Sequence, residues 1–386
     1  MELVFSTKAF EVAGVTVEGF PLFLTNDGLA VEQVLLFFVE HLLQRGSARS
    51  VRTWRSYAYA MKDFFSFCEL HGRQWNEKRV IGLPSVIAAY RDWAFCQRQH
   101  HVSTINNRLD LLICFYRFAK KSGYIDTIPF GFEDRLVPIH HSAEFSRASP
   151  SWEAIQVPDV KLKSRRSLLR VLSYAQARAF LTALSSNPTH QLMAKLQLAT
   201  GIRVEELVTF PASFVCDPRA HPDVIHWFTV MLDATKMSTK SGVTRTIHVP
   251  RKIMEDLWRF MAIERPSRID RSKPAPVPLF LTMNGRPFRT RSVWKLYGDA
   301  EQKCGIHVNP HLLRHTYATH ALAALSHSKN VGNALLYVRD RLGHASVKTT
   351  EIYLHHVHDA GLSISGQYQA DLNTLFIDGQ GLAHGD

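Results

Sequence analysis

A proline-rich segment at residues 126–167 shows no hydrophobic periodicity and divides the chain. More than any other feature, this segment limits which folds the chain can adopt. It combines four prolines with a basic run: Pro129, Pro138, Pro150, Pro158, Lys161, Lys163, Arg165 and Arg166. Prolines outside a repeating apolar pattern are typical of connections. Because 386 residues also exceed what one ordinary core holds, we interpret residues 126–167 as a linker between two domains.

The stretch before this linker has the apolar spacing of helices. Residues 31–43 place Val34, Phe37 and Phe38 on one helical face. Ser50 is predicted to cap a helix over residues 51–70, and two further helices are predicted over 84–99 and 103–121. Residues 28–125 are therefore predicted to form a bundle of about four helices. Residues 1–27 alternate only loosely and are predicted to form an extended N-terminal arm.

The stretch after the linker is predicted to be helical around one hairpin. Ser173 is predicted to cap a helix over residues 174–184, and a helix over 191–210 is predicted to run through Gly201. Two strands, 227–233 and 244–250, flank a turn rich in Lys, Ser and Gly. Further helices are predicted at 252–263, 291–304, 311–325, 334–342 and 347–353.

The charge pattern favours a polyanionic partner. The net charge is +12, which suits nucleic acid although basic surfaces also suit membranes. Residues 45–125 carry a net +9 and residues 151–386 a net +10, whereas residues 1–44 carry −5. Two basic blocks of this kind fit a protein with two nucleic-acid-binding faces.

Cysteine usage and hydropathy predict a soluble, cytoplasmic protein with no membrane partner. The five cysteines are scattered and none has CxxC spacing, which favours reduced thiols over disulfides or a zinc site. The N-terminus lacks a signal-peptide pattern, and no apolar run approaches the ~20 residues that cross a bilayer.

Arg203 and a lysine in the predicted hairpin are candidates for handling a phosphate. Gly201 interrupts the helical pattern just before Arg203, which would allow close approach of the backbone to a ligand. Glu206 lies one turn later and would orient the guanidinium; an ordinary surface ion pair is the alternative. A hairpin lysine, Lys236 or its competitor Lys240, would donate a proton to a leaving oxygen, and a solvated turn lysine is the alternative there.

The last third of the chain adds two histidines, an arginine and a tyrosine. His311 and Arg314 share one face of a helix that begins after Pro310. His344 follows a glycine that suits a left-handed helix end, and Tyr353 lies nine residues further on. A guanidinium grips a phosphodiester through paired hydrogen bonds, and a phenol becomes a nucleophile when its proton is removed.

The other histidines in this stretch are predicted to take no part in the chemistry. His315 is predicted to point away from the His311–Arg314 face into packing. His355, His356 and His358 crowd after the tyrosine, but their spacing gives no tetrahedral set, so no metal site is predicted.

These motifs, in this order, resemble the tyrosine recombinase (phage integrase) family over roughly residues 28–360. The matching segments are Thr-Gly-Ile-Arg203-Val-Glu-Glu206-Leu, the hairpin Lys236, His311-Leu-Leu-Arg314-His-Thr, Leu-Gly-His344 and Thr-Thr-Glu-Ile-Tyr353. The resemblance implies a mainly α fold. It comprises an N-terminal helical, SAM-like core-binding bundle at 28–125 and a mostly helical catalytic domain with a small antiparallel β-sheet at 168–360. The spacing from Arg314 to His344 is longer than usual in the family, with the extra residues expected within 325–338.

The resemblance also implies a mechanism without metal or other cofactor. Tyr353 would attack a phosphate and form a 3′-phosphotyrosine bond, while Arg203 and Arg314 stabilise the transition state. Lys236 would protonate the leaving 5′-oxygen. His311 and His344 would hydrogen-bond the phosphate, and His311 could also take the phenolic proton.

The resemblance implies partners as well. They are double-stranded DNA, a homotetramer assembled on two DNA sites from monomers or dimers, and accessory DNA-bending proteins. Residues 361–386 form a tail in which residues 372–377 are predicted to dock on a neighbouring protomer or to fold back on their own domain. Cations predicted to lie near DNA are Arg49, Arg52, Arg55, Arg108, Lys240, Arg245, Arg289 and Arg291.

Three other functions compete with recombination. A type IB topoisomerase would share the chemistry but would not explain the upstream bundle and basic linker. A DNA-binding regulator would share the fold without catalysis, although the polar positions are all chemically intact. A metal hydrolase is the third alternative and is the least supported by the residue spacing.

Overall fold

A computed structural model divides the chain into two compact units, unit 1 (Met1–Arg166) and unit 2 (Ser167–Asp386). It describes residues 1–46, 50–80, 82–138, 152–163, 169–270, 274–326, 331–344, 346–347 and 349–353. The predicted tail at 361–386, Arg49 and the histidines at 355, 356 and 358 lie outside the described residues. Each unit is described by itself.

Unit 1 is a helical bundle with an aromatic core. Its helices are α1 (Glu32–Phe38), which continues as a π-helical turn to Gln44, α2 (Val51–Leu70), α3 (Val86–Cys96) and α4 (Val102–Lys121). Ser85 caps α3 through its side chain, whereas Ser50 precedes α2 without a capping hydrogen bond. Buried rings fill the centre: Phe37, Phe38, Phe64, Phe65, Phe115 and Tyr116. Each buried ring contributes roughly 1.5–3 kcal/mol of hydrophobic stabilisation.

The N-terminal residues are part of this bundle. Strand β1 (Glu2–Phe5) pairs with β4 (Pro21–Leu24), and β2 (Glu11–Val12) pairs with β3 (Val15–Thr16). Phe20 is fully buried in the core of unit 1. Residues 1–27, which we predicted to be an extended arm, therefore pack against the helices.

The segment that we interpreted as a linker contains regular structure. Strands β5 (Phe132–Pro138) and β6 (Trp152–Pro158) pair in antiparallel register, with Phe132 opposite Pro158. Both strands of such a ribbon are edge strands, where proline is tolerated because no second ladder requires its missing N–H. Val160 is buried in the bundle core. The prolines led us to predict an irregular connection. Residues 132–138 and 152–158 instead form a two-stranded ribbon.

Unit 2 is mostly helical around one antiparallel hairpin. Its elements are α5 (Tyr174–Ala183), α6 (Pro188–Thr200), α7 (Val204–Thr209), β7 (Trp227–Leu232), β8 (Arg245–Pro250), α8 (Arg251–Arg259), α9 (Thr290–Cys304), α10 (Pro310–Ser326), α11 (Val331–Leu342) and a helical segment at 349–353. Ser173 caps α5 in a capping box with Gln176. Strands β7 and β8 pair from Trp227–Pro250 to Leu232–Arg245. The mainly α class with a small antiparallel sheet is confirmed.

A glycine splits the helix that we predicted over residues 191–210. Gly201 has φ +64° and ends α6 in the left-handed region, where glycine avoids the strain of a Cβ. A Cβ at this position would lie 2.3 Å from the Tyr317 ring. The chain therefore turns at Gly201 and restarts as α7, which places Arg203 at the N-terminus of a new helix.

Within the described part of the chain, no helix combines the length and apolar character needed to cross a membrane.

Candidate active site

A buried carboxylate organises the polar centre of unit 2. Glu206 is fully buried and accepts two hydrogen bonds of 2.6 Å from the Arg245 guanidinium, one on each oxygen. It also accepts a 2.7 Å bond from the Arg203 backbone N–H and a 3.3 Å bond from Arg203 Nη1. Burial alone would raise the pKa of Glu206, but the hydrogen bonds and charge of Arg245, with Arg203, lower it. Glu206 is therefore ionised and fixes Arg203 in place.

Arg245 connects this carboxylate to the turn that carries His344. Its Nε donates to the Arg341 carbonyl at 2.9 Å. Gly343 has φ +65°, and a Cβ there would lie 2.8 Å from Arg245 Cδ. Glycine at 343 thus permits both the left-handed turn and the close approach of Arg245. Arg203 Nη2 donates to the Gly343 carbonyl at 3.4 Å, so the same turn contacts both arginines.

Arg314 is a buried cation held by backbone carbonyls. It donates to Gly201 at 2.7 Å and to Leu342 at 2.5 Å. Burial first, and the nearby positive charge of Arg203 second, lower the pKa of Arg314 to about 9. The guanidinium remains protonated at neutral pH. Two cations this close repel one another, and an anion bound between them would relieve that repulsion.

Tyr353 is brought to these cations by the last described helical segment. Its side chain is buried, and its hydroxyl lies 2.9 Å from His315 Nδ1. The His344 ring stacks on the Tyr353 ring at a centroid distance of 6.3 Å and an interplanar angle of 12°. Burial raises the pKa of Tyr353, while the charges of Arg314 and Arg203 act in the opposite direction. The phenolic oxygen therefore lies within electrostatic reach of both guanidinium groups.

The three histidines of the site have different surroundings. His311 is exposed and contacts the Trp294 ring at 6.0 Å between centroids. The His344 Nδ1 lies 3.1 Å from the Thr350 hydroxyl. Burial, followed by neighbouring positive charge, lowers the pKa of both His315 and His344 to about 4. Both rings are therefore neutral at physiological pH.

The structure corrects our interpretation of His315. We predicted that its ring points into packing, away from the reacting groups, but it contacts the tyrosine hydroxyl. His311 and His315 are four residues apart on α10, a spacing that places them on the same helix face. That spacing was the sequence signal that would have identified His315.

The two hairpin lysines differ in their surroundings. An open cleft in unit 2 is lined by polar residues that include Arg203, Lys240, Thr244, Arg245, His344 and Thr349. Lys240 lies in a single 3₁₀ turn, Lys240–Gly242, before β8. Lys236, by contrast, is exposed and its ammonium lies 3.8 Å from the Asp233 carboxylate. Lys240 is thus the lysine that shares a cleft with Arg203 and His344.

Two cations that we predicted to lie on a DNA-facing surface are structural. Arg245 is buried on Glu206, as described above. Arg108 is half-buried in unit 1, where it donates to Asp63 at 2.5 Å beside the Tyr90 hydroxyl. The remaining described positions on that list are exposed: Arg52, Arg55, Lys240, Arg289 and Arg291.

Comparisons with known proteins identify the family of this domain. Residues 170–359 match the model of the phage integrase family. The tyrosine recombinase XerC of Roseiflexus castenholzii is 25% identical over 332 residues, covering 84% of this chain and 88% of that protein. XerC of Bacillus subtilis strain 168 is 24% identical over 332 residues, covering 84% and 92%.

Solved structures share the fold. XerH bound to a palindromic difH substrate superposes with a TM-score of 0.55 at 16% identity, covering 84% of each chain. The Tn1549 transposon integrase in complex with transposon right end DNA gives 0.55 at 18% identity, covering 82% of this chain and 93% of that one.

Residues 170–359 thus form a tyrosine recombinase domain of the phage integrase family. It is an enzyme of the class that cleaves and rejoins DNA. Two relatives that align with most of the chain's length are the XerC recombinases described above.

Proposed function

We propose that this protein is a site-specific recombinase that cuts and rejoins DNA through a 3′-phosphotyrosine intermediate formed by Tyr353. One observation carries the proposal. The phenolic oxygen of Tyr353 lies within electrostatic reach of two arginines from distant segments, the half-buried Arg203 and the buried Arg314. A nucleophile placed beside cations suits attack on a phosphodiester, whose transition state gains negative charge.

The arginines are suited to hold the scissile phosphate. Arg314 and Arg203 direct some of their N–H groups to backbone carbonyls or Glu206. A guanidinium has five N–H donors, so donors remain for the non-bridging oxygens. Because protein groups already fix both cations, little reorganisation is required when a phosphate binds. His344, neutral beside the same turn, supplies a further hydrogen bond to the phosphate.

The cleavage step balances without an external reactant. The Tyr353 oxygen forms a bond to phosphorus as its proton passes to a neighbouring imidazole, and the bond from phosphorus to the 5′-oxygen breaks. The leaving oxygen takes a proton from a lysine ammonium and departs as a 5′-hydroxyl. The phosphodiester energy is retained in the tyrosyl ester. A second 5′-hydroxyl then attacks that ester, rejoins the strand and releases the phenol.

We assign the general acid to Lys240 in preference to Lys236, because Lys240 lines the cleft with Arg203. Lys240→Ala is expected to slow strand cleavage by about 10²–10⁴-fold, whereas Lys236→Ala is expected to remain within about twofold of the unmodified protein. A substrate with sulfur in place of the 5′-oxygen needs no proton to leave. That substrate is therefore expected to restore the Lys240→Ala rate. A cleavage defect confined to Lys236→Ala would reverse the assignment.

The proposal is tested by covalent capture on DNA. A pool of nicked duplexes with randomised sequence allows a short strand to escape after cleavage, so the protein–DNA link accumulates. Adducts are isolated under denaturing conditions, their DNA is sequenced, and the attached peptide is located by mass spectrometry. We expect adducts that resist EDTA, carry a 3′-phosphate link to Tyr353 and share a common sequence. An adduct on another residue, or none, would contradict the proposal.

We propose further that the active form is a tetramer on two DNA sites, in which residues 361–386 join neighbouring protomers. Within that tail, the sequence places Leu372, Leu375, Phe376 and Ile377 at helical spacing. Removal of residues 366–386 is expected to leave binding to a single DNA site unchanged and to reduce pairing of two sites at least about tenfold. Native gel shifts measure both. Undiminished pairing would refute the role of the tail.

A further inference from the structure

The Tyr353 hydroxyl lies at hydrogen-bond distance from His315. This histidine is not one of the two that the motif assigns to phosphate binding, His311 and His344. His315 Nδ1 lies 2.9 Å from the Tyr353 hydroxyl, with ring centroids 5.6 Å apart. The motif's first histidine, His311, lies one turn earlier on α10, is exposed and packs near Trp294. Among the described histidines, the imidazole at hydrogen-bond distance from the phenolic hydroxyl is therefore that of His315.

The protonation state of His315 and its tautomer together define the direction of this hydrogen bond. His315 is faced by His311 and Arg314 from its own helix, by His344 from the turn after α11 and by Tyr353 from the last helical segment. Burial and the charges of His311 and Arg314 lower its pKa to about 4. At neutral pH the ring has one nitrogen that can only accept. Nδ1 is that nitrogen in the tautomer that carries its proton on Nε2, and in this tautomer the phenol donates and Nδ1 accepts.

We propose that His315 orients the Tyr353 hydroxyl and receives its proton during attack on DNA. This inference rests on the proposed function and names a residue for a step that the function requires. Geometry is the first requirement for a general base, and 2.9 Å is within hydrogen-bond reach of the proton.

The proton and charge balance is compatible with this role. The phenolic proton moves to Nδ1, the oxygen electron pair forms the bond to phosphorus, and the lysine protonates the departing 5′-oxygen. His315 becomes an imidazolium beside Arg314, which is unfavourable in the empty site. A phosphodiester bound between Arg203 and Arg314 brings a negative charge that offsets this repulsion. In the rejoining step the imidazolium returns the proton to the departing phenol.

Two substitutions separate orientation from proton transfer. In His315→Asn, the amide oxygen can occupy the position of Nδ1 and accept from the phenol, but it cannot take up a proton. In His315→Phe, both capacities are lost while a ring is retained. His320→Asn is the matched control, because His320 is a buried histidine on the same helix, α10, and its ring bonds the Leu172 carbonyl instead of the tyrosine. Thermal melting of each variant reports whether it is folded.

The measurement is the rate of covalent capture, in a single turnover, across pH. The unmodified protein is expected to reach a plateau near neutral pH. His315→Asn is expected to be about 100-fold slower at pH 7. Its rate should also rise about tenfold per pH unit into the alkaline range, because the phenol must then ionise by itself. His315→Phe is expected to be slower still, and His320→Asn should keep the plateau.

Each other outcome overturns the inference. An unchanged rate and plateau in both His315 variants would mean that the contact is only structural. A faster rate would mean that His315 restrains the tyrosine in a resting position. If the unmodified protein still forms the covalent adduct with DNA, either of these two results would leave the proposed function intact. Failure of the unmodified protein to form any adduct would overturn both.

Discussion

Tyr353→Phe is expected to abolish covalent capture of DNA while leaving DNA binding unchanged. The substitution removes one oxygen from a buried ring and keeps the contacts with Ala318, Leu322 and Val338, which belong to the same small core cluster. Removal of a catalytic nucleophile lowers turnover by at least about 10⁴-fold. Gel shifts measure binding, and adduct formation on nicked duplexes measures cleavage.

The matched control for that experiment is Tyr337→Phe. Tyr337 packs against the same cluster, but its hydroxyl lies 2.7 Å from His248 Nδ1 and takes no part in the proposed chemistry. Its capture rate should stay within about threefold of the unmodified protein, which corresponds to the modest net value of a single hydrogen bond. If Tyr353→Phe retained all activity, the protein would be a DNA-binding regulator on this fold.

Arg245→Ala is expected to destabilise unit 2 by about 3–5 kcal/mol, because it leaves the Glu206 carboxylate buried without its main partner. Equilibrium denaturation measures the loss. Arg291→Ala, at an exposed arginine of the same unit, should change the free energy of unfolding by less than about 0.5 kcal/mol. A stable Arg245→Ala variant would show that the pair contributes nothing to folding.

A double variant and a pH series identify the cause of that loss. Arg245→Met combined with Glu206→Leu removes both charges and should recover most of the stability without recovering strand cleavage. The pKa of Glu206 is lowered in the folded protein, so the pair stabilises at neutral pH and its contribution is lost as pH falls through that lowered value. Without Arg245, burial remains and acts to raise the same pKa. The difference between Arg245→Ala and the unmodified protein should therefore begin to shrink above the ordinary glutamate pKa of about 4.3 and continue to shrink as pH falls through the lowered value.

Sequence patterns were sufficient for residues whose role depends on local spacing. The helices of both units follow apolar periodicity. Arg203, Arg314 and Tyr353 were predicted as site residues because each lies in a short segment of distinctive composition. These segments are far apart along the chain, and the structure brings them together without altering the local pattern on which the assignment rested.

Sequence patterns failed where a partner lies far along the chain. Arg108 and Arg245 were predicted to be surface cations because their carboxylate partners are distant in the sequence. Asp63 is 45 residues from Arg108, and Glu206 is 39 residues from Arg245. Lys236 and Lys240 are only four positions apart in the sequence. Which of them lines the cleft depends on the path of the turn, and the sequence does not specify that path. The ribbon at 132–158 depends on pairing between strands that carry no strong alternation.

The scattered origin of the active-site groups has a consequence for the cell that makes this protein. Arg203 follows α6, Arg314 lies on α10, and Tyr353 enters only with the segment after α11. During synthesis, the arginines emerge long before the phenol, and the phenol has no cationic surroundings until these helices have packed. On the proposed mechanism, a nascent or misfolded chain holds no competent nucleophile, and DNA cleavage begins only after folding has assembled the site.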